Sequence, residues 1–303
     1  MLSFNEFCTE VVNGISAVYP DAEVFTKQVR KPNIVKTGLV IKPDNDNITP
    51  TIYLNEFYSE DCEISDVINQ VVEIYEEYKD TMNDFDVQKI YDFEQIKKRI
   101  VPILINTERN AKLLQTCPNK TYLDLSIVFY YMCDDKAISG GQSMVLITNT
   151  IFTSWGISLD ALYDATMNNI HLLGCNVRGI VDMIAKMLKD KGTPDDIISM
   201  MINDMQSVPL TVVTNDANFK GAYLAFLNPN ICKKLAQNYN NNLLILPSSI
   251  HESIIAPVDI APTIDNIKEI VKSINTTEIL PEDFLSDSVY FYDRTTGKIS
   301  IAE

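Results

Sequence analysis

The densest set of reactive side chains in the 303-residue chain is the string Leu246-Pro247-Ser248-Ser249-Ile250-His251-Glu252, which holds one of only two histidines. Hydroxyls, an imidazole and a carboxylate within five residues supply the types needed for nucleophile, base and orienter. A hydrolase built here would use His251 as base and Ser248 or Ser249 as nucleophile, with Glu252, Glu108 or Asn106 assisting. Strand alternation, however, sends Ser249 and His251 to one face and Glu252 to the other, and no Gly-x-Ser-x-Gly elbow accompanies the string. A tight turn whose histidine bonds neighbouring backbone is the plainer reading.

Three further places end an apolar run in a polar cluster: Asn106-Thr107-Glu108-Arg109, Thr148-Asn149-Thr150 and Thr214-Asn215-Asp216. Such strand-to-helix turns can gather at one sheet edge and meet a ligand, so Asn106, Glu108, Arg109, Asn149 and Asn215 are candidate binding residues. Asn, Thr and Asp are also the standard helix caps, which is the simpler role. His171 reads as structural, in the last turn of a helix that starts at Ser158.

No cofactor is expected. Ten glycines without recurrent spacing leave no Walker loop or dinucleotide fingerprint. With two histidines and no HExxH, a catalytic metal is not expected, although counting does not exclude a carboxylate-rich magnesium or calcium site. The six cysteines lack any CxxC pair, so reduced thiols are expected. Met183, Met187, Met200, Met201 and Met205 could make an adaptable groove, but their coincidence with Ile and Leu stripes favours core packing.

Charge narrows the partners. A net charge of −16, with 41 acidic against 25 basic residues, is opposite to what phosphate neutralisation needs, so direct nucleic-acid binding is not expected. The acidity is concentrated in residues 1–100, which hold 19 acidic and 10 basic side chains. Solubility accounts for this; docking a basic protein partner, or mimicking nucleic acid, are the functional alternatives. No stretch approaches the ~20 apolar residues of a membrane span, and residues 1–6 lack the pattern of a secretory signal, so cytoplasmic residence is expected.

The elements that must position these residues follow from periodicity. Phe4, Phe7, Val11, Ile15 and Val18 predict an opening helix. Short β-rich runs at 24–29, 38–41 and 51–54, with turns at 31–33 and 43–46, predict an antiparallel meander, and Ser65 starts a helix to about Asp80. Runs at 101–105, 123–133 and 144–148 predict a central sheet, its last two strands joined at Gly140-Gly141. Residues 158–205 keep a 3.6 period and predict three successive helices. The last hundred residues alternate strand and helix and close in a hairpin around 293–297. The expected fold is therefore α+β: N-terminal helix and meander, central sheet, helical middle and an α/β C-terminal part.

Several strings together resemble a known family. Asp92-Phe93, Arg99-Ile100-Val101, Ile105 to Asn110, Leu123-Asp124-Leu125 through Tyr130, Leu246 to Glu252 and Tyr290 to Asp293 resemble the uncharacterised bacterial domain-of-unknown-function family 5688 over nearly the whole chain. Residues 149–169, with Trp155-Gly156-Ile157, also look like part of a second uncharacterised bacterial family. The resemblance implies a bacterial protein forming one integrated unit over 1–303 and implies no activity; the short loop around Pro118 to Thr121 is where sub-regions 1–118 and 119–303 would meet. An acidic cytoplasmic interaction or regulatory protein without catalysis is the leading expectation, with the hydrolase and the nucleic-acid mimic as alternatives.

Overall fold

The computed structural model describes residues 2–43, 49–79, 87–133, 144–203, 209–260 and 263–303. The turn residues Asp44, Asn45 and Asp46, the helix end at Asp80, the Gly140-Gly141 junction and Met205 lie outside the described residues. The chain divides into two units, one of the described residues up to Asp92 with Cys133, the other of Phe93–Met132 and Met144–Glu303. The division thus falls near residue 92 and not near 118, because residues 100–106 pair with 125–131 and belong with the C-terminal part.

In the first unit, helix α1 (Phe4–Val18) starts on a capping box: Ser3 Oγ accepts from Glu6 N–H, and the Glu6 carboxylate accepts from Ser3 N–H at 2.7 Å. Strands β1 (Ala22–Lys31) and β2 (Ile34–Pro43) form a ten-residue hairpin register around Pro32-Asn33, with Asn33 at φ 65°, and β3 (Thr51–Tyr53) extends the antiparallel sheet. Helix α2 (Ile64–Tyr78) is capped at Glu63, not Ser65, and no side chain bonds its first turn. Phe7, Val11 and Ile15 of α1 and Val67, Val71 and Tyr75 of α2 bury against Leu39, Ile41 and Ile52 of the sheet. Their i, i+4, i+8 spacing is what aims them at one core.

The second unit holds, in order, α3 (Phe93–Ile96), β4 (Ile100–Asn106), α4 (Ala111–Leu114), β5 (Asn119–Tyr122), β6 (Leu125–Met132), β7 (Met144–Leu146), α5 (Asn149–Trp155) and α6 (Leu159–Asn168). Next come β8 (Asn176–Gly179), α7 (Ile180–Asp190), α8 (Asp195–Asn203), β9 (Thr211–Thr214), α9 (Tyr223–Leu227), α10 (Pro229–Tyr239), β10 (Leu243–Leu246), β11 (Ser253–Pro257), α11 (Ile264–Thr277), β12 (Tyr290–Asp293) and β13 (Lys298–Ile301). Strand β6 is buried at all eight positions and is flanked by β4 on one side and by β5 and β7 on the other. A continuous apolar run suits a strand covered on both faces.

The remaining strands form an antiparallel sheet in the order β13-β12-β10-β11-β9-β8. Alternation of strand and helix along the sequence therefore does not yield parallel pairing here. The predicted run of helices is interrupted by β8, whose Asn176 to Gly179 pair with Thr214 to Thr211. Ladder bonding overrides the helical pattern at Val177, which begins no helix and leaves α7 to start at Ile180.

Burial raises the thiols of Cys117 and Cys232 from their ordinary 9.0 to about 11 and about 12. Between pH 9 and these values the unfolded chain binds fewer protons at both cysteines than the folded one, so stability is present below pH 9 and is lost as pH rises. Urea titrations should give a steady midpoint from pH 7 to 9 and a declining one from pH 9 to 11. For Cys232 the slope approaches about 1.4 kcal/mol per pH unit, and a Cys117→Ala/Cys232→Ala variant should show a smaller decline between pH 9 and 10. Above pH 10 the phenols of Tyr122, Tyr130, Tyr223 and Tyr290, also raised by burial, add a loss that the variant keeps.

Candidate functional site

Residues 247–252 link β10 to β11, and their first task is local. Ser249 N–H donates to Glu252 O at 3.2 Å, while His251 N–H donates to Ser249 Oγ at 3.0 Å, which closes a tight hydroxyl-stabilised turn. The His251 carbonyl then accepts from Thr214 Oγ1 at 2.8 Å and from Gly221 N–H at 2.9 Å. These bonds tie the turn to the loop that follows β9.

That loop is built around Asn215, which is fully buried. Its Oδ1 accepts from the N–H groups of Ala217 and Phe219, and its Nδ2 donates to Phe219 O at 2.6 Å. Asn218 and Lys220 adopt left-handed φ of 51° and 52°. Gly221 is required by close approach, since a Cβ there would sit 2.5 Å from Asn215 N. The product of this winding is one aimed donor: Lys220 N–H meets His251 Nδ1 at 3.1 Å.

The other ring nitrogen is held from a different direction. His251 Nε2 lies 2.9 Å from Asp283 Oδ1, on the 3-10 turn Pro281–Asp283, and Phe219 packs its ring 5.4 Å from the imidazole. Because Nδ1 accepts a backbone N–H, the neutral ring carries its proton on Nε2 and donates it to Asp283. The bonds of both nitrogens are thus to Asp283 and to backbone, and not to a serine hydroxyl. Ser249 is buried and spends its Oγ on the His251 backbone, and Ser248 is half-buried and takes no part in the network. Glu252 lines a pocket under α7, and burial pushes its carboxyl above the usual range despite the opposing influence of His251.

The strand-end clusters partly converge. Asn106 Oδ1 accepts from Arg109 N–H at 2.9 Å and Asn106 Nδ2 donates to Leu285 O at 3.1 Å, while the Arg109 guanidinium lies 3.4 Å from the centre of the Phe284 ring. Asn106, Arg109 and His251 therefore all reach the segment 283–285, and Asn215 joins through its loop. Glu108 is exposed, and its carbonyl accepts from Ala111 N–H at the start of α4. Asn149 belongs elsewhere: its Nδ2 donates to Gln115 O and its N–H to Thr116 O. His171 lies beyond the end of α6, not in its last turn, with Nε2 3.5 Å from Asn228 Nδ2.

Two residues that sequence patterns did not single out complete the arrangement. Asp283 is one carboxylate among 41 acidic residues, with nothing in its neighbours to mark it. Asp124 stands out only as a charge beside the apolar β6 run. Its Oδ2 accepts from Ser286 Oγ at 2.7 Å and Ser288 Oγ at 3.0 Å, and its Oδ1 from Tyr290 OH at 2.7 Å. Tyr290 is fully buried, and that burial raises its phenol.

The methionine-rich helices differ from the expected core packing. Helix α7 buries no residue and α8 buries only Ile198, whereas Met187 is 48% exposed, Met200 75% and Met201 56%. Among the described residues, no three or more His, Cys, Asp or Glu side chains are grouped to hold a metal.

Replacing Asp124 by alanine should destabilise the protein by roughly 2–4 kcal/mol in urea denaturation, because three hydroxyls lose their acceptor. Asp283→Asn should cost about 1 kcal/mol, since the amide oxygen keeps a neutral bond. Long-range proton–nitrogen spectra of the wild type at pH 8 should display His251 as the Nε2–H tautomer.

The model of a family of unknown function, DUF5688, matches residues 4–294. No curated protein and no solved structure matches the chain.

Proposed function

We propose, for this chain that belongs to the DUF5688 family of unknown function, a non-catalytic role as an acidic interaction or regulatory protein of the cytoplasm. The observation that carries this reading is the α7–α8 surface, where Met187, Ile197, Met200 and Met201 are each at least 43% exposed. Clustered exposed apolar side chains on a water-facing helix pair are costly unless a partner covers them. Methionine adapts its shape to such a partner.

Two further observations support it. The His251 ring spends both nitrogens on Asp283 and Lys220 N–H, an arrangement that holds a loop in place and presents no base to a serine. The net charge of −16 favours a partner with a basic rim around its apolar contact. Among the described residues no helix is long and apolar enough to cross a membrane.

The immobilised protein should retain one stoichiometric protein partner from an extract of its source cells. A Met200→Asp/Met201→Asp variant should lose at least nine-tenths of that retention, while Ile270→Asp, which alters an exposed apolar residue on α11, should keep it. Recovery of the bait alone, or equal loss in both variants, overturns the proposal.

A further inference from the structure

The antiparallel register sorts the side chains of β8, β9 and the turn before β11 into two faces. Arg178 pairs with Val212 and Asn176 with Thr214, while β11 places Ile254 beside Val212 and Ser253 beside Val213. Extending that register by one residue puts Glu252 beside Thr214. With a side-chain period of two, Asn176, Arg178, Val212, Thr214 and Glu252 share one face. These residues line a pocket of about 420 Å³, within the range of small-molecule sites.

Helix α7 supplies the roof. Met183, Lys186, Met187, Asp190 and Lys191 recur at three- and four-residue spacing and all line the same pocket. The pocket therefore combines three features. Arg178, Lys186 and Lys191 provide cations in a chain that is acidic overall, and among the described residues no hydrogen bond or ion pair engages any of these three side chains. Met183, Met187 and Val212 provide an apolar wall. Glu252 and Asp190 provide carboxylates that are likewise without a salt bridge to those cations.

We propose that this pocket binds a small zwitterion of the α-amino-acid or dipeptide type with an apolar side chain. Its carboxylate would meet Arg178, Lys186 and Lys191, its ammonium would meet Glu252, and its side chain would lie on Met183, Met187 and Val212. A purely anionic ligand satisfies the cations and leaves Glu252 facing like charge. A purely apolar one leaves the half-buried Glu252 carboxyl without a cation. Only a molecule with both signs and an apolar portion meets all three features. Burial raises the Glu252 carboxyl against a smaller lowering by His251, and an ammonium bound beside it would lower it further. The pocket shares Met187 with the α7–α8 docking surface but not Ile197, Met200 or Met201, so the Met200→Asp/Met201→Asp variant leaves the pocket lining unchanged and the two readings can fail separately.

Isothermal titration with L-leucine, L-methionine and L-leucyl-L-leucine should detect one site, with at least one of them binding at millimolar affinity or better. N-acetyl-L-leucine, which lacks the ammonium, L-leucinamide, which lacks the carboxylate, and inorganic phosphate should each bind at least tenfold more weakly. Arg178→Gln/Lys186→Gln should weaken the zwitterion at least tenfold. Glu252→Gln should weaken it and erase the discrimination against N-acetyl-L-leucine, with unchanged circular dichroism in both variants. If no zwitterion binds, if phosphate or N-acetyl-L-leucine binds equally well, or if folded variants bind as wild type does, the assignment fails. Should a variant not fold, chemical-shift changes in wild-type amides of 176–191 and 212–218 on adding L-leucine decide the question, and their absence overturns it.

Discussion

The second unit is organised around one carboxylate. Asp124 sits in the turn that joins β5 to β6, after Leu123 at φ 57°, and takes three hydroxyl donors from Ser286, Ser288 and Tyr290. Withdrawing an ionised group from water is expensive, and charge-assisted hydrogen bonds offset that cost only when several are made with good geometry. The consequence is positional. Residues 286–290 are held against the β5–β6 turn, and the preceding turn that carries Asp283 is thereby delivered to His251.

From that anchor the rest of the site follows as a chain of backbone constraints. His251 accepts and donates through its carbonyl, its backbone N–H and both ring nitrogens, and almost every partner is either main chain or a residue whose place the main chain dictates. Such a histidine works as a strut between the β9 loop and the 281–283 turn. Ladder alternation then turns Glu252 away from it and into the pocket beneath α7. Adjacent residues in the string thus serve different sides of the structure, which is why their nearness in sequence made a poor guide to shared chemistry.

Much of the architecture was legible because it rests on local periodicity. Phe7, Val11 and Ile15 announce α1, the continuous apolar run of residues 125–132 announces a strand buried on both faces, and the 293–297 turn announces the closing hairpin. Two readings failed where tertiary surroundings decided against a local stripe. Val177 fits a helical stripe, yet ladder bonds to β9 draw it into a strand. The methionines of α7 and α8 fit a core stripe, yet Met187, Met200 and Met201 lie exposed, because amphipathicity states which face wants cover and not whether cover exists. Of the site, His251, Asn106, Arg109 and Asn215 were visible as polar residues at strand ends, but Asp283 and Lys220 were not. Their roles arise from one of 41 acidic side chains and from a main-chain N–H, neither of which carries a local mark.

By itself the sequence determined the α+β class, the position of most helices and strands, the acidic balance and the membership of a family over residues 4–294. All of these depend on spacing along the chain or on composition, which folding does not alter. Only the tertiary structure decided that His251 is bonded to Asp283 and not to serine, that Asp124 gathers three hydroxyls from residues more than 160 positions away, and that Arg178 and Glu252 line one pocket. Those pairings cross long loops, and their partners are chosen by strand register and loop closure, which no local pattern encodes.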